Sequence, residues 1–306
     1  MASAIACSKQ TEGENKGKMT GLVFATGNHD AGRMRNRVLG DNPSDNAVKT
    51  LQKLYMSLPG PLCVYNGDEL GLPQVKVPEH LRVDPCLNNR DGCRVPIPWD
   101  NEKPNMGFCS EDNEPFLPIH LIDQKYAVSA QEKDKNSLLS SYRTFADYRQ
   151  SNEIMQKGGI ELVEVSKKFI AFKRVHEGKE ILCAFNLSKD YDYKLNLELY
   201  GGKQVQDFKE DLKKNEFDKK DFEVNGNSIK IPPEGCFIVE CPKDFKVATR
   251  SYLEDLTPEG KLDVVTRPEK IADTEIRIKL EKIKNNYYKN HQPLQNPMYR
   301  NRGNGR

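Results

Sequence analysis

The stretch FATGNHDAGR (residues 24–33) sets three polar side chains in a row, Asn28, His29 and Asp30, at the end of a short apolar run, with a cation at Arg33. The run itself, GLVFAT (21–26), is continuous rather than alternating, the pattern of a strand covered on both faces in a parallel sheet. An Asn-His-Asp cluster in that position has the look of part of an active site. It stands close to the N-terminus of the sequence, and that placement is the question the rest of the chain has to answer.

Outward from that stretch the pattern is strand, helix, strand. SDNAVKTLQKLYMSL (44–58) predicts a helix capped by Ser44, with Ala47, Leu51, Leu54, Tyr55 and Leu58 on one apolar stripe. GPLCVY (60–65) predicts a second short strand, entered through Pro59, Gly60 and Pro61, which makes a parallel unit with the first. Residues 73–125 are rich in Pro, Asn, Asp and Gly with few periodic signals, and a loop this long inside a domain is expected to be functional or a contact surface. NSLLSSYRTFADYRQ (136–150) predicts a helix with Leu138, Leu139, Tyr142, Phe145 and Ala146 inward. The period then changes to two. Segments 160–165, 168–175, 180–187, 193–199, 227–231 and 235–241 predict short antiparallel strands of a β-sandwich. The insert DFKEDLKKNEFDKKDF (207–222) reads as a solvated charged loop.

The sandwich is expected to end by residue 243. Beyond it, 268–290 predicts a helix with Pro268 near its first turn, where Ile276, Leu280, Ile283 and Tyr287 form a stripe. Residues 279–306 carry seven Lys or Arg against one acid, Glu281, a net +6. Tyr287, Tyr288, Met298, Tyr299, Arg300 and Arg302 are contact candidates in this anchoring tail. Residues 1–19 read as a flexible arm. The division expected is therefore arm (1–19), strand–helix region with its long loop (20–150), sandwich (151–243) and extension (244–306).

Composition narrows the classes. The 306 residues hold 47 basic and 45 acidic side chains, so no global field points to nucleic acid or membrane. The mean hydropathy is −0.74 and no apolar run approaches the length of a membrane span. The start MASAIACSKQTEGENKGKMT is too quickly charged for a secretory signal, so the location expected is intracellular, cytoplasmic or organellar, mitochondria included. Eight cysteines fall at 7, 63, 86, 93, 109, 183, 236 and 241 with no Cys-x-x-Cys pair, which reads as reduced thiols rather than a metal site, Cys86, Cys93 and Cys109 included. No metal and no cofactor are expected. The glycosylation-like triplet Asn186-Leu187-Ser188 lies in an apolar strand and reads as chance.

Three segments in order resemble one family. FATGNHDAGR resembles the strand-end motif of the α-amylase family of glycoside hydrolases. LPGPLCVYNGDELGL (58–72) is similar to its later Leu-Pro-Gly-x-x-x-x-Tyr-x-Gly-Glu-Glu-x-Gly pattern, with Asp68 in place of the usual Glu. NRDGCRVPIPWD (89–100) resembles the Arg-Asp-Gly-x-Arg-x-Pro-x-x-Trp segment of the α-glucosidase and oligo-1,6-glucosidase branch. The resemblance covers roughly residues 20–242 and implies an α+β chain: the last two strands and helices of a (β/α)8 barrel, then the antiparallel sandwich, then the extension. By the same resemblance Asp30 matches the acid that binds sugar hydroxyls in the transition state, His29 a neighbouring sugar contact, and Arg33 a group near the barrel mouth.

The resemblance also limits the function expected. The family's nucleophile and general acid belong to earlier strands than the Asn-His-Asp segment, and only 20 residues stand before GLVFAT here. Asp68, Glu69 and Asp91 match structural positions rather than replacements. Asn28, His29, Asp30 and Arg33 are accordingly read as vestigial motif positions in a non-catalytic accessory subunit, derived from a glucosidase and held in a larger assembly. Its partners are expected at the open barrel edge, the 73–125 loop and the extension, whose basic tail suits acidic protein or RNA. The alternatives are one half of a split α-glucosidase, whose other chain supplies both carboxylates, and a carbohydrate-binding module, for which no aromatic platform is evident in the sandwich because Trp99 lies in the loop region.

Overall fold

The computed structural model describes residues 23–84, 90–218 and 222–247. The expected N-terminal arm, the 268–290 helix with its Ile276, Leu280, Ile283 and Tyr287 stripe, and the tail residues Tyr288, Tyr299, Arg300 and Arg302 lie outside the described residues. Phe24–Ala25 (β1) and Leu62–Cys63 (β2) pair in parallel, Phe24 opposite Leu62 and Ala25 opposite Cys63. Both strands are only two residues long, shorter than the runs 21–26 and 60–65 that predict them. Pro61 and the polar turns at Thr26 and Tyr65 end the ladder: Thr26 N–H still reaches Cys63 O at 3.0 Å, while Tyr65 N–H turns aside to the Thr26 hydroxyl.

Between the strands lie helices Met34–Leu39 (α1) and Asp45–Met56 (α2). The Ser44 hydroxyl accepts the Ala47 N–H at 3.1 Å, as its cap position predicts. Ala47, Val48, Leu51, Leu54 and Leu58 are buried, while Tyr55 is only half-buried. The expected loop at 73–125 is irregular but not coreless. Apart from Asp91–Arg94 (α3) it runs through short turns, yet Val75, Val77, Val95, Leu117, Ile119 and Ile122 form one cluster with Val48, Leu138 and Leu139. Each such burial stabilises by about 1.5–3 kcal/mol, which explains how a segment without repeating hydrogen bonds keeps one conformation. Val128–Lys133 (α4), Leu138–Ser151 (α5) and Glu153–Lys157 (α6) follow. Ser137 caps α5 through the Ser140 N–H at 3.1 Å, and Phe145 faces inward.

Among the described residues the remaining strands form two antiparallel sheets: Gly159–Val165 (β3), Phe169–His176 (β4), Lys179–Asn186 (β5), Tyr193–Asn196 (β6), Glu223–Asn225 (β7), Ser228–Ile231 (β8) and Cys236–Glu240 (β9). The sheet orders are β3-β4-β5-β9 and β6-β8-β7. One core joins them, with Phe169, Ala171, Leu182, Ala184 and Phe237 from the first sheet meeting Leu195, Ile229 and Ile231 from the second. The β4–β5 turn, Glu177–Gly178, has positive φ at both residues (48° and 78°), which suits the right-handed twist of the flanking strands.

Four expectations need correction. First, β4 and β5 do not alternate in burial: Phe169–Arg174 and Glu180–Asn186 are buried throughout, because α2 and α6 pack on the face opposite the second sheet. Second, the insert 207–222 is not a solvated loop. Lys209–Asn215 (α7) is a helix whose Leu212 is fully buried, with Phe208 and Phe222 also in the core. The Phe217 ring packs edge-on against Phe145 with centroids 5.0 Å apart. Glu210, Asp211 and Lys214 are exposed, whereas Glu216 is buried and Asp218 pairs with Lys53. Third, β6 stops at Asn196, and β7 is a strand the pattern does not announce. Fourth, the core runs past residue 243: Phe245 and Val247 are buried in it, and Val247 bridges Leu199.

Polar struts tie the first sheet to the α2 region. Arg174, with no solvent exposure, donates Nε to Gly159 O (3.1 Å), Nη1 to Ser57 O (2.9 Å) and Nη2 to Gly158 O (2.6 Å). Arg149 donates to Leu58 O and Gly60 O, each at 2.7 Å, and also to Met56 O. Lys53 Nζ meets both oxygens of Asp218 at 2.7 Å. No helix among the described residues is long and apolar enough to cross a membrane.

Candidate functional site

The Asn28–His29–Asp30 turn leaves β1 at the strand's C-terminal end. The Asn28 Oδ1 accepts the Asp30 N–H at 2.8 Å, a local bond that Asn supplies without help from elsewhere. His29 is exposed, and its Nε2 lies 3.3 Å from Asp30 Oδ2. Asp30 is half-exposed, and its Oδ1 accepts from Arg90 Nη1 at 2.7 Å and Arg94 Nη2 at 3.2 Å.

Those two arginines come from the NRDGCR segment. Residues 90 and 94 are four apart at either end of α3, so both side chains leave on one side. Asp84 bridges them from behind, 2.8 Å from Arg90 Nη2 and 2.7 Å from Arg94 Nη1. Arg94 Nε also donates to His29 O at 2.8 Å. Arg94 therefore holds both the backbone and the carboxylate of the His29–Asp30 pair. Asp91 holds the loop: its Oδ2 accepts the N–H groups of Val83 (2.8 Å) and Asp84 (3.0 Å). Gly92 must be glycine, because a Cβ there would stand 2.0 Å from Val75 O.

Beneath the turn lies a buried layer built from Arg33 and the YNGDELG segment. Arg33 does not face the mouth of the site. Its side chain is fully buried, with Nη1 donating to Asn66 O at 2.5 Å, lying 3.5 Å from Asp68 Oδ1, and the guanidinium 5.0 Å from the Tyr65 ring centroid. Gly67 adopts φ +91°, and a Cβ there would meet Leu72 Cδ1 at 2.5 Å and Arg33 Nη1 at 3.0 Å. Burial raises the pKa of Asp68 against the opposing pull of Thr26 and Arg33. Arg33 Nε and Nη2 are buried without a hydrogen-bond partner among the described residues, so the guanidinium is incompletely satisfied. Glu69 is a local brace, accepting the Gly67 N–H at 2.8 Å. Burial likewise raises Tyr65 and Cys93 above their usual ranges.

The structure thus brings Asn28, His29 and Asp30 together, places Arg33 below them, and gives Asp68, Glu69 and Asp91 structural contacts. The sequence pattern does not announce Arg90 and Arg94 as partners of Asp30, or Asp84 as the carboxylate that bridges them. The four-residue spacing of the arginines was the available signal, but nothing in the sequence says which carboxylate they meet. Among the described residues no group of three or more His, Cys, Asp or Glu is placed to hold a metal ion.

Comparison with known proteins agrees with the motif reading. The profile described as alpha amylase, catalytic domain, matches residues 5–158. The chain is 36% identical over 175 residues to a probable alpha-glucosidase of Rhizobium meliloti (strain 1021), covering 55% of this chain and 31% of that protein. It is 31% identical over 163 residues to the trehalose synthase of Thermus thermophilus, covering 50% of this chain and 16% of that protein. Among solved structures, the α-glucosyl transfer enzyme XgtA superposes with a TM-score of 0.61 at 28% identity, covering 72% of this chain and 40% of that one. The chain spans about a third or less of the length of these curated relatives. Among the described residues the parallel sheet holds two strands and no closed barrel forms. With the Asn-His-Asp turn, the arginine pair that holds it and a profile match over half its length, the chain belongs to the α-amylase family of glycoside hydrolases and carries part of that family's catalytic domain.

Proposed function

We propose that this chain, by itself, is a non-catalytic subunit derived from an α-glucosidase, which acts by association rather than by hydrolysis. The observation that carries the reading is the employment of the carboxylates around Asp30. Retaining cleavage of a glycoside uses a carboxylate nucleophile and a protonated acid about 5 Å apart. Around the turn, Asp84 is held between two arginines, Asp91 accepts two backbone N–H groups, Glu69 accepts one, and Asp68 is buried on Arg33. Each has a structural duty, and Asp30 itself is held by Arg90 and Arg94.

Association is supported by the β1–β2 pair. Parallel sheets are ordinarily covered on both faces, yet Ala25 and Cys63 are exposed and Phe24 and Leu62 only half-buried. Further strand–helix units laid along this pair would cover it.

The intact Asn28–His29–Asp30 turn favours a second reading: another polypeptide supplies the nucleophile and acid, and Asp30 works in the composite site. Isolation of the native assembly, mass spectrometry of its members and an assay with p-nitrophenyl α-glucoside separate the two. Partners without any glycosidase segment, together with no turnover, are expected on the first reading. A barrel-type partner with turnover that Asp30→Asn removes would overturn it and establish the second.

A further inference from the structure

Away from the Asn28–Asp30 turn, a cavity of about 380 Å³ opens between the Asp41–Ser44 loop, the β3–β4 turn and the segment Leu187–Tyr191 after β5. Its size falls in the range of small-molecule sites. Three lysines, Lys167, Lys168 and Lys189, are balanced along its wall by three carboxylates, Asp41, Asp190 and Glu234. The lining therefore carries no net charge to favour a phosphate or another ion over a neutral ligand. Hydrogen-bonding groups of both kinds are present. Asn42 and Ser188 add an amide and a hydroxyl, and Ser188 is itself buried. Tyr191 lines the same cavity with 52% of its surface exposed, the one aromatic residue there among the described residues. Leu39, Ala47 and Leu187 supply apolar lining.

A ring that stays exposed beside a charge-balanced set of donors and acceptors suits a ligand that is polar on its edges, apolar on its faces and uncharged. That is the chemistry of a sugar: hydroxyls for the amide and carboxylates, C–H faces for the tyrosine. We propose that this cavity binds a short neutral oligosaccharide, with Tyr191 as the stacking platform and Asp41, Asn42 and Asp190 as the hydroxyl partners. Tyr191 supplies in the two-sheet region the platform that the sequence pattern did not reveal. The identity of the sugar, α-linked glucose, rests on the family reading above; the site does not.

Isothermal titration of the full chain with maltotriose, and with cellotriose as the β-linked counterpart, tests it. Maltotriose is expected to bind wild type, Tyr191→Phe and Asp30→Asn alike, and Tyr191→Ala about tenfold more weakly. Tyr191 is exposed, so its replacement is expected to leave the melting temperature unchanged, and that is measured alongside. Absence of binding to either sugar, or unchanged binding by Tyr191→Ala, would overturn the site. Binding of cellotriose alone would overturn the α-glucose assignment. Binding lost in Asp30→Asn would move the sugar to the strand-end turn, refuting this site while supporting the composite-enzyme reading.

Discussion

Replacing Arg174 by Met is expected to destabilise the described unit by about 3 kcal/mol. Arg174 has no solvent exposure and, among the described residues, no carboxylate partner; its three donors go to the carbonyls of Ser57, Gly158 and Gly159 at 2.9, 2.6 and 3.1 Å. Hydrogen bonds to a charged group each contribute about 1.5–3 kcal/mol, so three represent about 4.5–9 kcal/mol. Against this stands the cost of burying the charge. Burial lowers the pKa of Arg174 from 12.5 to about 10, which corresponds to about 3 kcal/mol that Met would not incur. The difference centres near 3 kcal/mol, and for a unit of this size it lowers Tm by about 6–12 °C. Differential scanning calorimetry of the wild-type, Arg174→Met and Arg174→Lys chains measures it. Lys places one ammonium where the guanidinium fork reached three carbonyls, so it should restore less than half of the loss. A Met variant within about 2 °C of wild type would refute the strut. Full restoration by Lys would show that charge alone, and not the fork, joins β4 to the end of α2.

Leu212→Ala should cost about 2–5 kcal/mol by emptying the buried side of α7, whereas Lys213→Ala on the same helix should cost under about 0.5 kcal/mol; equal small effects by urea denaturation would return the insert to a solvated loop. Asp68 has a raised folded pKa, so the folded state binds more protons than the unfolded one just above pH 3.8. Its contribution to stability is therefore greatest in acid and declines as pH rises through the raised pKa, and the advantage of wild type over Asp68→Asn should shrink in that direction. An advantage that grows with pH would contradict the burial assigned to Asp68. Asp68→Glu, which extends the carboxylate toward the incompletely paired Arg33, is expected to raise stability by about 1 kcal/mol; a loss in thermal melts would show that the pocket has no room for the added methylene.

The longer elements were legible because one physical signal dominated each. Ser44 followed by an apolar stripe announced α2, the inward set at Leu138, Leu139 and Phe145 announced α5, and short period-two segments joined by turns announced β4, β5 and β9. The misreadings came where signals competed. In 207–222 the charges outnumber the apolar residues, yet Phe208, Leu212 and Phe222 turn into the sandwich core and Phe217 packs on Phe145 and Tyr148, so side-chain direction outweighs composition. In β5, burial on both faces removed the alternation that a two-layer reading assumes. Met34–Leu39 carries arginines where a stripe would be sought; Arg35 is buried and bonded to Gly71 O and the Tyr126 hydroxyl, a match over 36 and 91 positions that no local pattern encodes. The candidate site divides in the same way. Asn28, His29 and Asp30 announce themselves as a motif, whereas the arginine pair on Asp30 and the burial of Arg33 depend on where the chain returns.

The central claim is that the chain alone does not cleave glucosides, and hydrolysis of p-nitrophenyl α-glucoside by the purified full chain, wild type against Asp30→Asn, tests it most directly. The account predicts that neither protein exceeds the uncatalysed rate and that their melting temperatures agree within a few degrees, since Asp30 is half-exposed and its arginine contacts are partly solvated. Turnover by the wild-type chain that Asp30→Asn abolishes would contradict it.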